Sequence, residues 1–167
     1  MSENLFTPPE SKLVDETQSN LESVLASRWR RLGASLIDSF IMMLFVMPIM
    51  YFFGWFEFIT NGEEPPFMYS LGMGLMGILF FILLNFKLLI KNGQTIGKKL
   101  LNIKIVDMDG NQADLKKHLL KRYGTYFIPN QVPIAGGIFQ LINILFIFRR
   151  DKRCIHDLAG GTQVVYC

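Results

Sequence analysis

Cysteine is scarce in this chain: Cys154 and Cys167 are the two thiols among 167 residues. That excludes a disulfide-stapled scaffold, and no spacing of Cys and His suggests a zinc site. Positive charge is missing over one long stretch, with no Lys or Arg between Gly33 and Phe86. Apart from Lys12, the cations fall instead at 28–31, 87–104, 116–122 and 149–153, where they border apolar runs. That is a membrane topology pattern, not a nucleic-acid patch, and Cys154 among them points to the reducing, cytoplasmic side. A phosphate loop is absent, because Gly93 to Lys99 lacks the G-x-x-x-x-G-K-[ST] spacing. Asp107, Asp109 and Asn111 resemble a calcium loop only superficially: the glycine is misplaced and the closing Glu is missing. No Ser or Cys nucleophile stands beside His156-Asp157, so hydrolysis is not expected. Residues 1–27 lack the basic start and apolar core of a secretory signal. They read as a disordered cytoplasmic tail, with a short surface helix across Leu21, Val24 and Leu25 as its one candidate element.

What the chain does have is apolar surface. Half of its residues are hydrophobic and 15 are Phe, more than a soluble core of this size needs. Residues 35–56 form the first expected transmembrane helix, since about 20 apolar residues suffice to cross. Pro48 inside it should kink it. Arg28, Arg30 and Arg31 in front put its start in the cytoplasm. Asp38 is the carboxylate within the run, and a charge kept there faces protein or water rather than lipid. Residues 57–66 read as an acidic outer loop, with Trp55 and Tyr69 in an aromatic belt beside it. Residues 67–89 form the second span. Ser70, Gly74 and Gly77 share one of its faces and should let the first helix approach closely through Ser35 and Ser39. Asn85 reads as a helix–helix hydrogen bond or, less simply, a ligand contact.

Beyond the second span, residues 93–99 read as flexible and basic. Residues 103–106 read as a short strand followed by an Asp109-Gly110 turn. Its expected partner is Gln163 to Tyr166. Residues 115–128 and 135–148 read as two helices of about 21 Å each, broken at Pro129 to Pro133, too short for a hydrocarbon core of about 30 Å. A hairpin that dips into the membrane and returns is one reading; a single third span over 132–148 is its rival. Gln140 and Asn143 put two amides on one face of the last helix, for packing. The expected fold is an all-α membrane protein with two transmembrane helices, a short membrane-dipping helical hairpin and a small cytoplasmic β-sheet.

Four motifs then stand in order. They are an Arg at the mouth of the first helix, an Asp seven residues on, G-Q-T-I-G-K-K-L after the second helix, and H-D-L-A-G-G-T-x-V-V near the end. Together they resemble the RDD family of small bacterial membrane proteins, over residues 26–166. The resemblance places the family's arginine at Arg31, with Arg30 as the alternative, and its aspartates at Asp38 and Asp157. It implies transport of unspecified ligands, with sodium/proton exchange as one suggested form. Arg122, His156, Asn85, Gln94, Thr95 and Lys98 stand as supporting residues.

Arg31 and Asp38 share a helix face but sit about 10 Å apart along the axis, so each needs a partner from another segment. Arg31 with Asp157 is one expected pair; Asp38 with Arg122 or His156 is another. The trio Arg31, Asp38 and Asp157 is either a structural clamp or a cation or proton site built around Asp38. Three functions remain. One is transport of an ion or small solute, one a membrane scaffold or accessory subunit, and the weakest an enzyme acting on lipid. The expected setting is the bacterial inner membrane, with both termini cytoplasmic. The expected partners are the lipid bilayer and a second copy or another membrane protein, with no nucleic acid, cofactor or metal.

Overall fold

The computed structural model describes residues 25–132 and 134–167. The expected tail up to residue 24, and most of its surface helix, lie outside them. Leu25 to Ser27, read with the tail from the sequence, belong to the folded part: Leu25 bridges Val165 and the Ala26 amide donates to Val164 O.

Helix α1 (Arg28–Phe52) opens on Ser27, whose hydroxyl accepts from the Arg30 amide at 3.3 Å. This cap satisfies one of the orphan donors of the first turn, so the helix starts seven residues before the apolar run. Pro48 lies inside it, as expected. The residues read as an acidic loop are in part helical: α2 (Trp55–Asn61) follows Gly54 and stops at Gly62, both left-handed. The outer turn is tied by Trp55 stacked on Tyr69, ring centroids 5.8 Å apart. Helix α3 (Phe67–Asn92) ends at Gly93, left-handed at φ +64°.

With 25 and 26 residues, α1 and α3 are each nearly 40 Å long, roughly, which exceeds a hydrocarbon core. Their most apolar windows are 6% and 11% buried, so neither is the core helix of a soluble protein. Both are apolar and long enough to cross a membrane.

The segment read as flexible is instead held as α4 (Ile96–Leu100), with Thr95 as N-cap accepting from the Lys98 amide. Strand β1 (Ile103–Asp107) follows, then a turn in which Asp107 Oδ1 accepts from the amides of Asp109 and Asn111. The next stretch holds one π-helical turn (Leu115–Leu119), α5 (Leu120–Phe127), a 3-10 turn (Pro129–Gln131), α6 (Ala135–Leu145) and a second 3-10 turn (Phe146–Phe148). The chain closes with α7 (Ile155–Gly160) and β2 (Thr162–Tyr166).

The expected pairing of the two strands is found. They run antiparallel, with Ile103 opposite Tyr166 and Ile105 opposite Val164. Ile103, Ile105 and Val164 are buried with Ala26, Ala34, Leu89 and Leu119 in one cluster. The packed core therefore lies at the end of the long helices where Arg28 and Asn92 sit.

The small residues of α3 do not pack against α1 as expected. A Cβ on Gly77 would meet nothing within 4 Å, and one on Gly74 would meet the Gln131 side chain. Gly74 and Gly77 face a cavity, and Ser35 and Ser39 line the same space from α1.

Candidate functional site

Asp157 is fully buried and receives two guanidiniums, from Arg31 on Oδ2 and from Arg122 on Oδ1. Its Oδ2 also accepts from the Cys154 amide at 3.0 Å, in the first turn of α7. A buried carboxylate needs such a set, because desolvation alone penalises the charged form. Burial pushes this carboxyl upward, but Arg122 and Arg31 outweigh it and hold it far below the usual carboxylate range. Each arginine is secured elsewhere too: Arg31 donates to Lys152 O, and Arg122 Nη1 to Thr162 Oγ1 at 2.7 Å. The cluster ties α1, α5, α7 and β2 together.

Asp38 forms a second centre. The expected partners, Arg122 and His156, are not those that it takes. Its Oδ2 accepts from the Thr95 hydroxyl at 2.5 Å and its Oδ1 from the Gly97 amide at 2.7 Å. Lys98 Nζ stands 4.0 Å away. Asp38 thus latches the start of α4 onto α1, where an anion also suits the free amides of a helix N-terminus. Asn85 completes the latch: its Oδ1 accepts from the Ile96 amide at 3.0 Å and its amide donates to Phe81 O within α3. Gln94 serves the sheet instead, donating to Ile103 O at 3.0 Å. Burial, and Arg122 after it, lower the Lys98 ammonium to about 8, against the opposing pull of Asp38.

His156 is neutral. Burial and Arg122 lower it to about 3, so its 3.7 Å approach to Asp157 is not an ion pair. Asn143 Oδ1 accepts from both its backbone amide and its Nδ1, at 3.3 and 2.9 Å. Asn143 therefore orients the imidazole rather than packing against another helix. Cys154, His156 and Asp157 lie close enough to face a common ion. Their chemistry does not suit a cation. Both Asp157 oxygens are spent on guanidiniums, and burial with Asp157 alongside pushes the Cys154 thiol up to about 11.

Above these two centres lies a cavity of about 510 Å³ between α1, α3 and α5. Asp38, Thr95, Lys98, Arg122 and His156 form its polar end, and methionines of α1 line its length. The structure thus brings Arg31, Arg122, His156 and Asp157 into one cluster, and Asp38, Asn85, Thr95 and Lys98 into a neighbouring one. Gln94 lies apart, and Arg30 sits at the surface over the Tyr166 ring. Sequence reading misses Gly97, Asn143 and Thr162 as members. Gly97 and Thr162 lie inside the quoted motifs, so the signal was present; that Asn143 pairs with His156, 13 residues on, carries no sequence signal.

The chain is 31% identical over 149 residues to the uncharacterized protein YckC of Bacillus subtilis, covering 84% of each. No solved structure matches it significantly. The RDD family model matches residues 25–161, a range that holds both aspartate centres and both long apolar helices, and the chain belongs to the RDD family.

Proposed function

We propose that this membrane protein binds an ion or small solute in the cavity between α1, α3 and α5 as a step in its transport. The cavity itself carries the reading. It has the volume of a ligand site, mostly apolar walls and a few convergent polar groups. Asp38 and Lys98 are the charged pair at its polar end. Proton-coupled exchange is the most concrete form. Lys98 suits it better than Asp38, because its ammonium is lowered to about 8 while both Asp38 oxygens are engaged. The protein acts as a binding and transport component rather than an enzyme.

A second reading, a scaffold or accessory subunit, is favoured by the Arg31–Asp157–Arg122 cluster, which has the full burial of a structural clamp. The two readings share one setting: the bacterial cytoplasmic membrane, with the termini on the cytoplasmic side and a second copy or another membrane protein as partner. In that setting the hairpin of α5 and α6 enters the bilayer. Its support is Gln131 beside Gly74, about 27 Å along α3 from Asn92.

Purified protein in vesicles, assayed for Na⁺, H⁺ and small-solute flux, tests the proposal. Flux lost in Lys98→Met and altered in Asp38→Asn, with both variants folded, is the expected result. No flux of any solute, together with stable co-purification of another membrane protein, overturns it in favour of the scaffold.

A further inference from the structure

The charges at the polar end of the cavity do not cancel. Lys98 and Arg122 line it as cations and Asp38 as the anion, with His156 neutral. Arg122 shares Asp157 with Arg31, so behind the wall three cations stand against two carboxylates. Either way, among the described residues, the end of the cavity keeps one positive charge on side chains with little exposure. An uncompensated buried charge is costly, so the site favours a ligand that brings one negative charge.

The rest of the cavity is apolar. Met42, Met43, Val46, Met47 and Met50 line it along one face of α1, and Ile78 and Phe81 face them from α3. Methionine is unbranched and adaptable, which suits a flexible chain. Met43 and Met47 are also 51% and 38% exposed, so the cavity opens sideways in the middle of an apolar helix, where lipid lies. Gly77 leaves open space where a side chain would fill the cavity. At about 510 Å³ the space has room for one acyl chain.

We propose that the cavity takes a single-chain amphiphile with one negative charge, drawn from the bilayer, its head group on Lys98 and Arg122 and its chain along the methionines of α1. This names the ligand class of the site proposed above and rests on that reading. The head group gains charge-assisted hydrogen bonds from Lys98 and Arg122. The chain stays in apolar surroundings throughout, leaving past Met43 and Met47.

The test uses the full chain in phosphatidylcholine vesicles and three photoreactive sixteen-carbon probes with a mid-chain diazirine. Their head groups are a carboxylate, an alcohol and a trimethylammonium. Mass spectrometry should place the carboxylate probe on residues 42–50 and 74–81, with labelling about tenfold above the other two. Unlabelled hexadecanoate should compete, and acetate at the same concentration should not. Lys98→Gln should abolish the head-group preference and Lys98→Arg restore it; Gly77→Leu, which fills the space without touching the charges, should block labelling in a protein that still melts cooperatively. Equal labelling by all three probes means annular lipid alone and overturns the proposal. So does preference for the ammonium probe, or competition by acetate as strong as by hexadecanoate. If the preference fails while Lys98-dependent flux of small solutes persists, only the ligand class falls. If cavity labelling and flux both fail, the transport reading falls with it.

Discussion

Asp157 and Asp38 lie in neighbouring clusters, yet they carry different loads. Asp157→Asn keeps the shape but leaves Arg31 and Arg122 buried around a neutral amide. Loss of a buried ionic partner typically costs about 3–5 kcal/mol. Asp38→Asn removes charge from hydrogen bonds to Thr95 and Gly97 that sit nearer water, a loss of about 1.5–3 kcal/mol. Thermal unfolding in one detergent should therefore rank wild type above Asp38→Asn and Asp38→Asn above Asp157→Asn. The reverse order would remove Asp157 from the centre of the clamp. His156 adds a pH dependence. Folding lowers its imidazole from 6.5 to about 3, so as pH falls the unfolded chain takes up the proton first. Its contribution to stability is intact above pH 6.5 and drains away as pH falls from 6.5 toward 3. His156→Gln, which keeps a donor for Asn143, should flatten the melting temperature across that window relative to wild type; an unchanged slope would assign the pH dependence elsewhere. The Arg31–Asp157 pair was legible, because two charges in quoted motifs had few plausible partners. The partners of Asp38 were not. Charge complementarity points to a cation, while the carboxylate takes a hydroxyl and a backbone amide from the G-Q-T-I-G-K-K-L motif, and the motif does not say which side chain its amides serve.

Among the elements, the short helices α4 and α7 depend on glycines at their contacts. A Cβ on Gly97 would press on Ala34 O and on the Asp38 carboxyl, 3.0 Å from its Cγ. One on Gly160 would meet Arg122 Cβ at 2.9 Å and His118 O at 3.1 Å. Neither neighbour is the far end of a flexible chain. Gly97→Ala and Gly160→Ala should each destabilise the protein by about 1–3 kcal/mol, the usual range for overpacking. Gly137→Ala, with open space around it, should not. Equal melting temperatures for all three would mean that α4 and α7 sit less tightly than described. The same reasoning explains what the sequence misled about α3. Helical spacing puts Ser70, Gly74 and Gly77 on one face, but period alone does not say whether a neighbour fills that face. Here α1 and α3 meet elsewhere, as at the stacked Phe45 and Phe80, while Gly74 and Gly77 line a cavity, with Gln131 beside Gly74. The strands were easier to place, since two β-branched segments with no other candidate partner must pair with each other.

At the scale of the whole molecule, one sheet constrains the topology. Leu25 bridges Val165 in β2, and β2 pairs with β1 along its length. Hydrogen-bonded strands lie on one side of a membrane, so the chain just before α1, the chain after α3 and the C-terminal strand share a side. If both long helices cross, as proposed above, they do so in opposite directions. Everything between Asp107 and Thr162 crosses an even number of times, zero included. A single third span over residues 132–148 does not fit that count. The basic clusters flanking the stretch point the same way, since two cytoplasmic ends also require an even count, but they do not say how deep its middle reaches. In the orientation proposed above, the cations at 28–31, 87–104, 116–122 and 149–153 put the shared side in the cytoplasm. Cys167 is exposed and reports that side; Cys154 is buried and should stay silent until the protein unfolds. A membrane-impermeant maleimide should therefore label Cys167 in inverted vesicles and not in intact cells. In a Cys167→Ser background, Glu63→Cys, in the turn between α2 and α3, should do the opposite. Labelling of Cys167 from outside intact cells would break the link between the sheet and the charge rule. Labelling of both sites from the same side would mean that α1 and α3 do not cross at all.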